Sequence, residues 1–411
     1  MKWLGTIKPR LLIFLMVVGP GIITSFADND AGGVATYSVA ASQFGYGMLT
    51  TLIPITVVLL ITQEIGSRIA IVTGKGLGDL IREHYGIRIS LLIFGLLCFV
   101  NFGVILQNLG GLKEALSLFH FSVNTFLPLI ILFLFVFITR ASYVKVEKFF
   151  LFLLLFYVAY LFSAILAKPD WGIVAKSLII PGRAITFHYV YTSIAVLGTT
   201  VTAWGQFFIN SYVKDKKLTI DHLHYNQTEI YIGSILTNVF SLFMMVAVTA
   251  TLFNHGIAIS GAGDAALAIK PFAGELASLL FGAGLLIAGF IGLAIVPLAT
   301  AYAFSEFFGV SGSLNETFGK SRTFYVLFII QILLGLIFIL MPNITLFNIT
   351  IYVDYLNGIF LPIIFFFLYR FANNKELMGE HVNNQLQNAL LIGAGVIITG
   401  AALIGALGNV L

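Results

Sequence analysis

The chain has 411 residues, of which 59% are hydrophobic and only 10% charged, with a mean hydropathy of +1.00. A soluble domain carries about 25% charged residues, so this composition excludes a string of soluble domains and defines one polytopic membrane domain over 1–411. The net charge of +4 is the excess expected of cytoplasmic loops rather than of a nucleic-acid-binding surface, and a single cysteine, Cys98, excludes an internal disulfide and a cysteine-built metal cage.

A helix needs about 20 apolar residues to cross a bilayer. Eleven stretches qualify: 11–42, 46–73, 89–112, 122–140, 149–167, 186–212, 228–254, 273–307, 323–341, 344–370 and 388–410. Lys2, Lys8 and Arg10 before the first of them, with Ser25-Phe26-Ala27 after, imitate a signal peptide. The apolar pattern resumes at once, so the stretch reads as an uncleaved first span. With the N-terminus inside, 16 of the 22 Lys and Arg residues fall in cytoplasmic segments and five outside, with Arg68 near the inner end of the second span. This bias predicts a cytoplasmic N-terminus, an external C-terminus and residence in the cell membrane.

The first span is interrupted by Asp28-Asn29-Asp30-Ala31-Gly32-Gly33 and the sixth by Gly198-Thr199-Thr200-Val201-Thr202-Ala203-Trp204-Gly205-Gln206. Glycine costs about 1 kcal/mol in a helix relative to alanine, and unwound backbone at membrane depth survives only where protein buries it or water reaches it. The first and sixth spans would open two five-span units. Five is odd, so the second unit enters from the opposite side. The result is an inverted repeat, about 11–167 and 186–370, plus an extra helix at 388–410. Paired broken helices at such an interface point to a transporter's central site. Glycines that merely let helices pack would account for the sixth span alone, but not for carboxylates at the depth of Asp28 and Asp30.

The candidate site comprises Asp28, Asp30, Gly33, Thr202, Gln206 and, from the tenth span, Asp354. Carboxylate, hydroxyl and amide oxygens suit Mg²⁺, Ca²⁺ or Mn²⁺. The plainer readings are that Asp28 caps a half-helix, that Thr202 bonds the carbonyl one turn back, and that Gln206 is interhelical glue. Asp354, in the same plain reading, pairs with a polar neighbour. Elsewhere, Glu64 and Arg68 are four residues apart and are expected to pair. Glu229 and Glu275 lie near span ends and are expected at the interface, and Asn101, Gln107 and Asn108 read as interhelical hydrogen-bond partners. Trp204 is either a gate or a packing aromatic. The seven histidines form no HExxH motif, and no nucleophile–base pair argues for an enzyme. An organic solute would present a carboxylate that Asp28 and Asp30 repel unless a bound cation intervened.

Gly19-Pro20-Gly21, Asp30-Ala31-Gly32-Gly33, Val72-Thr73-Gly74-Lys75, Leu356-Asn357-Gly358-Ile359-Phe360-Leu361-Pro362 and Asn374-Lys375-Glu376-Leu377-Met378 carry a resemblance over nearly the whole chain. The chain resembles the natural-resistance-associated macrophage protein (NRAMP) family of divalent-metal transporters. The resemblance implies an all-α leucine-transporter fold of two inverted five-helix repeats plus an eleventh helix, with a metal site between the broken spans. The family's Asp-Pro-Gly-Asn is Asp30-Ala31-Gly32-Gly33 here, without the asparagine ligand, and its Met-Pro-His is Thr202-Ala203-Trp204, without the thioether and the histidine. The family's glutamine aligns with Asp354 and its acidic position in the third span with Asn108. These departures are similar to those of the NRAMP-related magnesium transporter branch, with a roomier site lacking the soft ligand. The expectation is a divalent-cation transporter, Mg²⁺ first and Mn²⁺ second, working by alternating access in the lipid bilayer without proton coupling and without a cofactor. A proton-coupled Mn²⁺/Fe²⁺ symporter is the alternative. A monomer is compatible with this sequence.

Overall fold

The computed structural model describes residues 24, 25, 27–140, 158–182, 185–341 and 344–408. The N-terminal part of the first span, the Gly19-Pro20-Gly21 motif and most of the fifth span lie outside the described residues. The principal helices are α1 (Ala31–Phe44), α2 (Leu52–Thr73), α3 (Leu77–Leu118), α4 (Val123–Arg140), α5 (Val158–Leu166), α6 (Phe187–Thr200) and α7 (Ala203–Asp215). They continue with α8 (Leu223–Thr251), α9 (Ala277–Phe308), α10 (Arg322–Ile339), α11 (Leu346–Ala372) and α12 (Gln385–Gly408).

Among the described residues nine helical stretches are long and apolar enough to cross a membrane. One of them, Ala31–Thr73, has 43 residues, and would be about 65 Å long if straight, twice the hydrocarbon thickness. It is divided at Gly45, whose φ of 58° only glycine adopts readily, and by the 3₁₀ segment Gly45–Thr51, so it holds the end of the first span and all of the second. With the fifth span described only from Val158, these helices match the expected order. The predicted loop 74–88 is a difference. Residues from Leu77 are already helical, and Gly86, at φ 76°, kinks this approach segment into the third span.

Both expected breaks are present and are built alike. Asp30 is extended (φ −65°, ψ −172°) and caps α1 by accepting from the Gly33 N–H at 3.0 Å. Thr202 is extended (φ −75°, ψ 147°) and caps α7 by accepting from the Gly205 N–H at 3.0 Å. An oxygen-bearing side chain followed three residues later by a glycine thus starts each half-helix at mid-span. Around these breaks, the most extensive packing is α3 on α9 and then α6 on α11.

Polar residues line one face of α8, where Asn226, Glu229, Ser234, Thr237, Asn238 and Ser241 are all buried. Asn29 donates to the Thr237 hydroxyl at 2.5 Å and accepts from Ser241 at 3.0 Å, while Ser67 of α2 bonds Asn226. Glu229 is therefore inside the protein and not at the interface as its place near a span end suggests. It packs in the helical face that meets α1 and α2. Glu275 is exposed, as expected. The Glu64–Arg68 pair forms with a 2.8 Å contact, and Gln227 of α8 and Gln387 of α12 complete the carboxylate's shell. Arg68 also reaches Asn383 at 2.7 Å and the His381 carbonyl, so this pair moors the last helix to α2.

Candidate functional site

The two breaks meet. Thr202 donates its hydroxyl to Asp28 Oδ1 at 3.3 Å, linking the unwound part of the first span to the N-terminus of α7. Asp30 Oδ2 accepts from Asn108 Nδ2 of α3 at 2.6 Å, and Asn108 Oδ1 in turn accepts from the Ala31 N–H at 3.2 Å. Tyr37 and Thr200, from α1 and the last residue of α6, are joined hydroxyl to hydroxyl at 2.5 Å. Asp28, Asp30, Thr202, Gln206 and Asp354 are each at most 4% exposed, so any bound group is held in protein, not in bulk water.

Helix N-termini carry partial positive charge. Those of α1 and α7 both begin at this centre, and each is faced by an aspartate: Asp30 caps α1, and Asp28 accepts from the residue that caps α7. An anionic ligand would meet two carboxylates already occupying the positions that would attract it. A cation would meet carboxylates held in place by those same helix ends.

Several buried polar atoms have no hydrogen-bond partner among the described residues: Asp28 Oδ2, both amide atoms of Gln206, Gln107 Oε1, Trp204 Nε1 and Asn357 Nδ2. Native interiors seldom leave such groups unpaired, and each one asks for an explanation. Asp28 Oδ2 and Gln206 Oε1 are oxygens in or next to the break, the donor type expected for a hard cation.

Not every predicted residue belongs to this group in the same way. Asp354 lies on α11, where its Oδ2 accepts from Thr36 at 2.5 Å within a chain running through Thr350 to Gln107 and the Gly32 carbonyl. It braces α1, α3 and α11 together. Among the described residues no three His, Cys, Asp or Glu side chains are placed to hold one ion, so the three aspartates do not form one ligand cluster. Gly33 contributes no side chain, and its N–H is committed to Asp30. A Cβ at Gly33 would collide with the Asp28 carbonyl oxygen. The expectation that losing the asparagine merely widens the pocket is corrected here, because the backbone of residue 28 closes that space. Trp204 is buried in the first turn of α7, with its ring edge-on to Phe208 at 6.5 Å.

A second polar cluster escaped the sequence reading. It lies at the end of the bundle that the charge pattern assigns to the cytoplasm, beside a cleft of about 680 Å³. Glu306 of α9 is buried and accepts from the Gly78 N–H at 3.0 Å and from Ser211 at 2.7 Å. Asp79 binds Lys214 at 2.5 Å. Asp215 accepts from Tyr302, Ser313 and the Leu314 N–H. Glu306 ends a long apolar run, a position that resembles an interfacial residue, which is why it was not singled out.

Two half-helix N-termini, those of α1 and α7, meet at a buried polar centre, an arrangement typical of the central site of a secondary transporter. Comparison with known proteins makes the assignment specific. The family model described as "Natural resistance-associated macrophage protein-like" matches residues 21–407, and the chain belongs to that family. It is 27% identical over 331 residues to a protein of Deinococcus radiodurans named "Divalent metal cation transporter MntH", covering 74% of this chain and 72% of that one. A Klebsiella pneumoniae protein of the same name is 24% identical over 421 residues, covering 96% and 95%. A solved structure of an Eremococcus coleocola manganese transporter mutant superposes with a TM-score of 0.74 at 18% identity, covering 95% of this chain and 86% of that one. The fold is the leucine-transporter fold, two inverted five-helix repeats with an eleventh helix, in an integral membrane protein. The curated relatives are named as transporters, not as enzymes.

Proposed function

We propose that the protein carries divalent cations across the cell membrane by alternating access around the two breaks, with Mg²⁺ as its preferred cargo. Support for a cation comes from the pairing of two aspartates with two helix N-termini. The unpartnered oxygens of Asp28 and Gln206 support a hard ion. Mg²⁺ is commonly bound through one or two carboxylates with several waters retained, which fits a centre where Asp28 and Asp30 lie at the breaks while Asp354 braces neighbouring helices. Sulfur, which selects softer metals, is absent from positions 202 and 206.

Uptake runs without protons in this reading. A proton relay through the membrane uses Asp, Glu or His, and neither Asn108, which bonds Asp30, nor Trp204, in the first turn of α7, is one of these. The membrane potential supplies about 2.3 kcal/mol per charge per 100 mV. A divalent ion therefore gains about 4.6 kcal/mol, enough for a gradient of roughly a thousandfold at about 1.4 kcal/mol per tenfold. The basic loops support a cytoplasmic N-terminus and an external C-terminus.

The second reading is a proton-coupled Mn²⁺ symporter; the names of the relatives, a divalent metal cation transporter and a manganese transporter, support its metal. Proteoliposomes holding a pH-sensitive dye separate the two. Mg²⁺ uptake without internal acidification, at clamped zero potential, is the expected result. Acidification that tracks metal entry, or uptake of Mn²⁺ but not Mg²⁺, refutes the Mg²⁺ uniporter.

A further inference from the structure

Asn357 of α11 stands where the two halves of the sixth span part. Its Oδ1 accepts from the N–H of Ala203, the first residue of α7, at 2.9 Å. The side chain is fully buried and its Nδ2 has no partner among the described residues. The amide orientation follows from the contact, since only the oxygen can face a backbone N–H. The first turn of a helix has no intrahelical partners for its N–H groups. In α7 the Gly205 N–H goes to Thr202 and the Ala203 N–H goes to Asn357.

The neighbour of Asn357 fixes where this tether starts. A Cβ at Gly198 of α6 would run into the Asp354 carbonyl oxygen, and would lie 2.5 Å from the Gly358 nitrogen. A Cβ at Gly358 would meet the Ile194 carbonyl oxygen at 2.7 Å. The backbones of α6 and α11 are therefore in direct contact on the near side of the break. On the far side, Asn357 holds α7 through one hydrogen bond. One helix thus grips both ends of the unwound segment, and the residues it places next are Thr202 and Gln206.

We propose that Asn357 is a positioning residue for the cargo site. It sets the first turn of α7 against α6 and α11, and so holds Thr202 and Gln206 toward the first break, while giving the ion no ligand itself. Its oxygen is committed to Ala203, and its free NH₂ is a donor that cannot coordinate a cation. The inference rests on the cation-transport reading above.

The test uses the full-length protein in detergent, with Mg²⁺ and Mn²⁺ as probes in titration calorimetry, and the metal-induced rise in Tm as a second readout. N357L removes the acceptor at similar size. N357S keeps a small polar side chain that is too short to reach Ala203, and serves if the leucine variant does not fold. N357D keeps an acceptor, because Asp and Asn cap helices about equally well. The expected result is at least tenfold weaker binding of both ions by N357L and N357S, with the Tm of the metal-free protein little changed. N357D should stay within about threefold of wild type. Wild-type affinity in N357L or N357S, or weak binding in N357D as well, overturns the inference. D30A in the same series keeps the two ideas apart. Loss of binding in D30A with normal binding in N357L sinks the role of Asn357 alone, whereas normal binding in D30A sinks the cargo site itself.

Discussion

The centre of the bundle and the end that carries Glu306 hold polar clusters of similar make-up, and they differ in how completely they are satisfied. At the Glu306 end every carboxylate oxygen of Asp79, Asp215 and Glu306 accepts a hydrogen bond or an ion pair. At the centre, Asp28 Oδ2 and both amide atoms of Gln206 are left without partners among the described residues. A complete network rigidifies, whereas an incomplete one is costly to keep. The difference separates a cluster whose oxygens are used in holding helices together from one that keeps oxygens unused. Position supports this division. The Glu306 cluster ties the far end of α7 to α3 and α9 through Lys214–Asp79 and Ser211–Glu306, and the near end of α7 carries Thr202 and Gln206.

Substitutions can break this contrast, and the largest effect on cargo is expected at Asp30. Asp30→Ala should reduce Mg²⁺ and Mn²⁺ transport in proteoliposomes to background. Its cost to folding is limited to the cap of α1, about 1 kcal/mol, together with the Asn108 contact, so the variant should remain monodisperse. Transport at the wild-type rate would falsify a central site built on Asp30.

Gln206→Leu should come next, with roughly tenfold weaker metal binding by calorimetry. Here the comparison makes a second demand. An unsatisfied buried polar group costs about 1–3 kcal/mol, so the leucine variant should be at least as resistant to heat as wild type in the absence of metal. A variant both weaker in binding and plainly less stable would show that Gln206 is a structural hydrogen-bonding residue.

Glu306→Ala should show the smallest effect on cargo and the reverse pattern. Removing this carboxylate strands the Gly78 N–H and the Ser211 hydroxyl, for a loss of about 2–3 kcal/mol in stability, while Mg²⁺ affinity stays within twofold. Tenfold weaker binding with unchanged stability would move the Glu306 cluster into the cargo path.

The breaks were legible because two kinds of residue are conspicuous in an apolar run: aspartates that lipid would not tolerate, and glycines that helices do not favour. The Glu64–Arg68 pair was legible because four residues bring two side chains to one helix face. Asn108 reads from the sequence as an interhelical hydrogen-bond residue, but its partner Asp30 lies 78 positions away, and no local spacing encodes that. Glu229 lies near a span end, a place that suggests the interface, yet it is buried. The row Asn226, Ser234, Thr237, Asn238 and Ser241 marked the same face of α8 as polar and buried, and was the signal available. Asn357 sits beside a glycine and looks in sequence like a packing or turn feature; the free N–H it serves belongs to Ala203, 154 positions away. The chemistry of Gly33 suggests open space, and the obstruction at that position is a backbone atom.

That obstruction bears on what can be built at this position. The oxygen blocking a side chain at position 33 belongs to Asp28, the same residue that reaches across to Thr202. Glycine is the residue this backbone path admits, and any side chain at position 33 requires residue 28 to shift, and with it the contact between the two spans. A ligand cannot be added at position 33 alone; the chain path at residue 28 must be rebuilt with it.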